Sequence, residues 1–374
     1  MNKDYMKKKI LFLLNRESSF LPPFLAMLDA LCDAYSIKVI SYEKEGELDR
    51  LNKLYGDKDV TFVYTRPQLV SRSIGNRITG KVRRALDIKS QFVKEAENLI
   101  DNIEYDLLWV IHERTLAEFG DFLARKRYVV SLYELNDQNP AFLERIKPYL
   151  QHADEVMIPE YNRSCILRVW CKLDRTPTVV PNKPYSHPRT PKIPNKYSEL
   201  LSNKKILLYQ GYIQRSRNVD MICEACDEQS GYTAVILGKG DSSYIEELKC
   251  KYPHMIHIPF ILPPEHLHVT SWARIAVVKY DFVALNGIFC APNKIWEYSG
   301  FGIPVLGNNI PGLEYTVGQA RAGICCNLDD TAEIKKAIAA IECNYADYSR
   351  NASEFYDSFD LGSVLNSIAA RNAR

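Results

Sequence analysis

APNKIWEYSGFGIPVLG, residues 291–307, is the stretch that decides the fold. Pro292 has a fixed φ that suits the start of a helix. Lys294, Ile295, Trp296, Glu297 and Tyr298 can all continue it, and Gly300 and Gly302 are predicted to stop it in the left-handed conformation. Ile303 to Leu306 form a short apolar run before Gly307, which reads as a buried strand. A short helix feeding a core strand is an α/β unit. Such a helix points its N-terminal amides at the crevice beyond the strand ends, where anions bind. Lys294 adds positive charge to that first turn. Glu297, about one turn further on, can accept hydrogen bonds from a pair of hydroxyls. It can equally be an exposed helical carboxylate, or one paired with a nearby Lys or Arg.

Working outward, the same alternation covers residues 201–356. Lys205 to Gln210 read as a strand, Gly211 as a turn and Val219 to Cys226 as a helix. The strand ending at Gly238, a helix over Tyr244 to Cys250, and strands at Met255 to Phe260 and Ile275 to Tyr280 follow. Residues 1–182 repeat the pattern, with strands at Lys8 to Leu14, Ile37 to Tyr42, Val60 to Tyr64, Asp106 to Ile111 and Tyr128 to Leu132. The first ends in a polar turn carrying Arg16 and Glu17, the fourth in His112 and Glu113, and the fifth in Tyr133 and Glu134. Polar residues at strand ends are where an α/β sheet places its chemistry. Between the halves, residues 183–200 carry Pro184, Pro188, Pro191 and Pro194 and read as an extended linker. Two successive α/β sets imply two doubly wound sheets.

Composition narrows the classes. A chain of 374 residues suits two domains. Hydrophobic content of 46% and charged content of 25% are those of a globular protein, and a net charge of +2 gives no reason to expect nucleic acid. The ten cysteines are scattered through apolar segments, so reduced thiols are expected. Cys223 and Cys226 have metal-pair spacing, but no second pair or histidine accompanies them, and no metal site is expected. No apolar run approaches the ~20 residues of a membrane span. Residues 72–89 are basic: Arg72, Arg77, Lys81, Arg83, Arg84 and Lys89 face only Asp87. They read either as a solvated loop or as a docking surface for anionic lipid headgroups.

PNKIWEYSGFGIPVLG, PGLEY and AGICCNLDDTAEIKKAI together resemble the nucleotide-sugar half of GT-B glycosyltransferases, and most resemble the family 4 retaining enzymes of bacterial polysaccharide assembly. DLLWVIHERTLAEFG, residues 106–120, resembles the strand–loop–helix that brings a histidine over the donor sugar. The resemblance implies two Rossmann-like domains facing a central cleft. Residues 1–182 would bind the acceptor, 201–356 the nucleotide sugar, and helices in 357–374 would pack back on the first domain. It implies His112, Arg217 and Lys294 as the catalytic groups. Glu297, Gly211, Arg215, Asn286, Asn293 and Gly238 would bind the donor, and Arg16, Glu17 and Glu134 the acceptor. The bland readings are a capping histidine at His112 and solvated arginines at 215 and 217.

The chain departs from the family in three places. Tyr212 and Asn218 stand where the diphosphate loop carries arginine and lysine, so that role passes to Arg217 and then Arg215. Phe289 stands eight positions before Glu297 in place of a second glutamate, whose task falls to the loop 286–290 with Asn286. The implied activity is transfer of a sugar, with retention, from a UDP- or GDP-linked donor to a hydroxyl of a lipid-linked or soluble glycan. No cofactor or metal is implied, because arginine, lysine and helix amides take the cation's place. The expected location is cytoplasmic, on the inner face of the cell membrane. A nucleotide-sugar epimerase or hydrolase on this fold, or a catalytically silent partner subunit, are the alternatives.

Overall fold

A computed structural model describes residues 7–18, 21–43, 45–64, 91–190, 196–280 and 282–374. The basic stretch 72–89 lies outside them. The chain forms two compact units, residues 1–181 with 361–374, and residues 182–360.

Among the described residues the first unit has seven parallel strands: β1 (Lys9–Leu13), β2 (Ser36–Ser41), β3 (Val60–Tyr64), β4 (Leu107–Ile111), β5 (Val129–Ser131), β6 (Glu155–Ile158) and β7 (Thr178–Val179). Their order is β3-β2-β1-β4-β5-β6-β7. The chain runs outward from β1 in one direction, then returns to β4 and runs outward in the other. The reversal between β1 and β4 is the topological switch point, outside which open α/β sheets bind ligands. The strands are continuous apolar runs, as a sheet covered by helices on both faces requires. LLWVI in β4 is buried at every position, and Trp109 packs against Phe12 of β1 with ring centroids 5.5 Å apart.

The second unit repeats the plan with β8 (Lys205–Gln210), β9 (Tyr232–Leu237), β10 (Ile256–Ile258), β11 (Ile275–Val278), β12 (Val305–Asn308) and β13 (Gly323–Cys326). Their order is β10-β9-β8-β11-β12-β13, with the switch point between β8 and β11. The deciding stretch folds as the helix Asn293–Ser299 followed by β12. Its Ile295, Trp296 and Tyr298 enter the core, where Trp296 stacks on Phe355 at 4.5 Å.

Three local expectations need correction. Gly300 is right-handed (φ −60), and the left-handed residue is Gly302 (φ +67). Gly300 is needed for space instead, since a Cβ there would lie 2.6 Å from the His187 ring. Residues 183–190 are not a free extended linker. Lys183 Nζ donates to the Tyr356 and Phe359 carbonyls (2.6 and 2.5 Å), and Arg189 pairs with Asp357 (2.7 Å), so this segment is fastened within the second unit. The return to the first unit comes at Leu361 rather than at 357. The helix Leu361–Asn372 packs against the helix Pro22–Leu31, and Arg371 and Asn372 both donate to Glu155 at 2.8 Å.

Candidate functional site

In the second unit, the strand ends at the switch point assemble a cationic floor. Gly211 follows β8 with φ +147 and Gly238 follows β9 with φ +151, both in the region that favours glycine. A Cβ on Gly238 would lie 1.9 Å from the Gly211 carbonyl, and one on Gly211 would lie 2.6 Å from Lys294 Nζ. The two turns touch, and the Lys294 ammonium lies directly over Gly211. Arg217 approaches the neighbouring strand end, that of β11, from the short 3₁₀ turn Arg215–Arg217. Its Nη1 donates to the Lys279 carbonyl (2.6 Å) at the end of β11, and its guanidinium lies over the Tyr280 ring. Burial pushes the Lys294 ammonium down to about 8, with Glu297 raising it and Arg217 lowering it. Two cations that raise each other's electrostatic cost at neighbouring strand ends suit an anionic group.

Arg215 is not part of this floor. It pairs with Glu247 (Nη1 at 3.2 Å), and its guanidinium lies over the Tyr244 ring. Asn293 opens the helix that carries Lys294 and is half-buried. Asn286 lies on the helical turn Leu285–Ile288, with Phe289 directly after it.

Glu297 is neither exposed nor paired with a surface cation. It is buried, and its Oε2 accepts from Gln210 Nε2 (2.8 Å) and lies 3.2 Å from His266 Nε2. Burial alone would raise its pKa, but His266, Gln210 and Lys294 outweigh that and hold the carboxyl below its usual range. Gln210 Oε1 in turn lies 2.7 Å from Thr270 Oγ1. The Gln210 and His266 contacts both fall on Oε2. Gln210, His266 and Thr270 escape the sequence reading, since they lie 87, 31 and 27 positions before Glu297. One signal was present: Gln210 is a polar residue closing an apolar strand.

In the first unit, Arg16 follows β1 and His112 follows β4, on either side of the switch point. His112 has φ 79 and caps the helix Glu113–Leu123, its Nδ1 accepting from the Arg114 amide at 3.2 Å. That bond fixes the neutral tautomer with the proton on Nε2. Burial pushes His112 down to about 3, with the charges of Arg16 and Arg114 adding to the effect. Glu113 is more deeply buried. Its Oε2 accepts from the Tyr133 amide (3.2 Å), tying the end of β4 to the end of β5, and burial pushes its carboxyl up to about 7. Glu113 Oε1 and His112 Nδ1 are 3.4 Å apart. With the histidine neutral and the acid raised, this contact is not an ion pair. The capping reading of His112 is thus correct for Nδ1 and leaves Nε2 to be accounted for. Glu134 is exposed, 3.8 Å from Arg163, and Glu17 acts on the buried Glu43 through its charge. No group of three or more metal-ligating side chains occurs among the described residues, and none of their helices is long and apolar enough to cross a membrane.

No protein-family model matches the chain, and no curated protein matches it in sequence. Solved structures do match nearly its whole length. Anabaena HepE in complex with UDP-glucose is similar at 14% identity and a TM-score of 0.68, covering 97% of this chain and 98% of that one. The sucrose-phosphate synthase of Thermosynechococcus elongatus is similar at 14% identity and 0.67, covering 98% of each chain. A glycosyltransferase from Rickettsia africae is similar at 12% identity and 0.67, also covering 98% of each. At such identities the likeness is one of fold, and together with the two switch-point sheets it establishes that the chain has the GT-B fold of these proteins.

Proposed function

We propose that the protein transfers a sugar from a UDP-linked donor to a hydroxyl of a lipid-linked glycan, with retention of anomeric configuration, in surface polysaccharide assembly. The observation that carries the reading is the Lys294 ammonium over Gly211, with Arg217 held at the end of the neighbouring strand β11 and acting on Lys294 through its charge. A leaving nucleoside diphosphate gains negative charge as the anomeric bond breaks, and fixed cations at that point stabilise the transition state more than the ground state. Glycine at 211 and 238 lets the diphosphate approach the backbone. Glu297 accepts from a ribose hydroxyl, and Asn286 and Asn293 border the donor. The base is assigned as uracil on the UDP-glucose complex of Anabaena HepE. Arg215 is left out, because Glu247 already neutralises it.

In this mechanism the acceptor oxygen attacks the anomeric carbon on the face the phosphate leaves. The C–O bond to phosphate breaks as the C–O bond to the acceptor forms. The acceptor proton passes to a phosphate oxygen, so no protein carboxylate nucleophile takes part. His112 contributes Nε2–H as a neutral donor to a sugar hydroxyl, and Arg16, Glu17 and Glu134 contact the acceptor.

The test is UDP release from a panel of UDP-sugars with and without a lipid-linked glycan. Release that depends on acceptor is expected. Turnover of donor alone would point to an epimerase or hydrolase. No turnover with any donor, beside a tight complex with another polypeptide, would point to a silent subunit. Titration calorimetry should show UDP binding weakened by roughly 1.5–3 kcal/mol in Glu297→Ala, the cost of losing charge-assisted hydrogen bonds.

A further inference from the structure

The buried polar groups behind Glu297 admit one assignment of protons. A carboxylate only accepts, so Gln210 must turn its amide nitrogen toward Oε2 at 2.8 Å. Gln210 Oε1 then faces Thr270, whose hydroxyl must donate to it at 2.7 Å. The Thr270 oxygen is also 3.1 Å from the His266 carbonyl, but a hydroxyl has one proton and the shorter contact takes it. His266 must carry its proton on Nε2, which faces Oε2 at 3.2 Å. Its Nδ1 is buried with no partner among the described residues, so nothing competes for the ring's orientation. Behind the helix, His187 Nε2 donates to the Glu297 carbonyl at 2.9 Å. Thr270 is 0% exposed, and Gln210, His266 and Glu297 are 7–8% exposed, so water does not replace these bonds. Every bond to the carboxylate goes to Oε2, and among the described residues none goes to Oε1.

We propose that Gln210, His266 and Thr270 are positioning residues that engage Oε2 of Glu297 and leave Oε1 to face the donor, and that Oε1 takes one ribose hydroxyl where a carboxylate with both oxygens free would bridge the pair. The proposal rests on the reading of Glu297 as the ribose contact. The chain Thr270–Gln210–Glu297 has a polarity: each member can play its part only if the one before it points the right way. Removing the Thr270 hydroxyl leaves Gln210 Oε1 buried without a donor. The amide can then turn over and set an oxygen against the carboxylate, which drives Glu297 out of place. A residue two contacts from the ligand thereby sets its affinity.

The test uses the whole protein and calorimetry with UDP, 2′-deoxy-UDP and 3′-deoxy-UDP. In the wild type, one deoxy analogue should bind like UDP and the other about tenfold more weakly, on the scale of a lost hydrogen bond to a charged group. Equal weakening by both would overturn the single-hydroxyl reading, and this comparison needs no variant. Thr270→Val should weaken UDP about tenfold and narrow the gap between the two analogues, while Thr270→Ser keeps both within about twofold of wild type. His266→Phe should narrow the gap in the same way. A merely structural role would weaken all three ligands alike and leave the gap unchanged. If Glu297→Ala weakens UDP and Thr270→Val does not, the positioning proposal fails and the ribose reading stands. If Glu297→Ala leaves UDP binding unchanged, the ribose reading itself fails.

Discussion

Glu297 and His112 occupy corresponding ground, each beside the switch point of its own sheet, yet their surroundings do opposite things. Around Glu297, a histidine, an amide and a lysine hold a buried carboxylate in its charged form. Around His112, burial keeps the imidazole neutral and raises the neighbouring Glu113 to about 7, so two adjacent ionisable groups share a site with little charge at slightly acid pH. Burial acts on both. What differs is the supply of donors: Glu297 receives side-chain hydrogen bonds and lies near an ammonium, whereas Glu113 receives backbone amides and faces a ring nitrogen that is itself an acceptor. One site keeps a charge and the other removes it. On the proposed reading the charged site serves the nucleotide and the neutral imidazole a sugar hydroxyl.

The sharpest way to break this comparison is to remove the cations near Glu297. Lys294→Ala and Arg217→Ala should each lower kcat by ~10²-fold or more, the scale of losing one preorganised contact to developing charge. Both variants should fold, since neither side chain anchors the core. Wild-type turnover in both would remove the diphosphate assignment.

Much of the second site was legible because it is local. Lys294 and Glu297 share one helix, and Gly211 and Gly238 close strands that their apolar runs announce. The partners of those residues were not legible. Thr270 and Gln210 meet only because β8 is placed next to β11 and the helix before β11 folds back, which no single-chain periodicity reveals. Arg215 and Arg217 look alike in sequence. They are separated by a 3₁₀ turn that sends one toward Glu247 and the other toward the Lys279 carbonyl. Gly300 was misread for a similar reason: its need is for space beside His187, and His187 arrives from a segment 113 positions away. Glu113 was visible as a polar residue at a strand end, but its raised pKa depends on burial by the whole first unit.

A second set of predictions tests the neutral site through stability. Glu113 has a folded pKa raised from 4.5 to about 7, so between these values the folded state holds more protons than the unfolded one. Its contribution is present at acid pH and is lost as pH rises through that window. His112 is lowered from 6.5 to about 3, so its contribution is present above 6.5 and is lost as pH falls toward 3. Over its whole window each change amounts to roughly 3–5 kcal/mol. In urea titrations across pH 3 to 8, Glu113→Gln should flatten the loss on the neutral side and His112→Asn the loss on the acid side. Unchanged pH profiles in both variants would show that the two groups titrate as they do in water.

The functional counterpart is smaller. His112→Ala should reduce transfer about tenfold, the lower end of what a positioned hydrogen-bonding group supplies. UDP affinity should stay within about twofold, because the residues proposed for the diphosphate and the ribose belong to the second unit. Loss of UDP affinity equal to the loss of transfer would place His112 on the nucleotide rather than the sugar.

The smallest expected effect concerns how firmly the Glu297 site keeps its charge. Burial lowers Lys294 to about 8 even though Glu297 opposes the shift, so free enzyme begins to lose this proton just above neutrality. A bound diphosphate favours the ammonium and should raise the pKa again. Linkage then makes UDP affinity fall as pH rises above about 8, because binding must take up a proton that is increasingly scarce. The fall should be gentle, about threefold between pH 7.5 and 8.5, since only part of the lysine has titrated by then. It should be accompanied by proton uptake, which calorimetry in buffers of different ionisation enthalpy measures directly. Lys294→Arg should abolish the pH dependence, because guanidinium stays charged throughout. Lys294→Met should bind UDP more weakly at every pH and also without a slope. If the slope persists in Lys294→Met, the titrating group is another one, and the cation over Gly211 is charged at all times. If the wild type shows no slope and no proton uptake, burial does not lower Lys294, and the floor of the second site carries its full charge before the donor arrives.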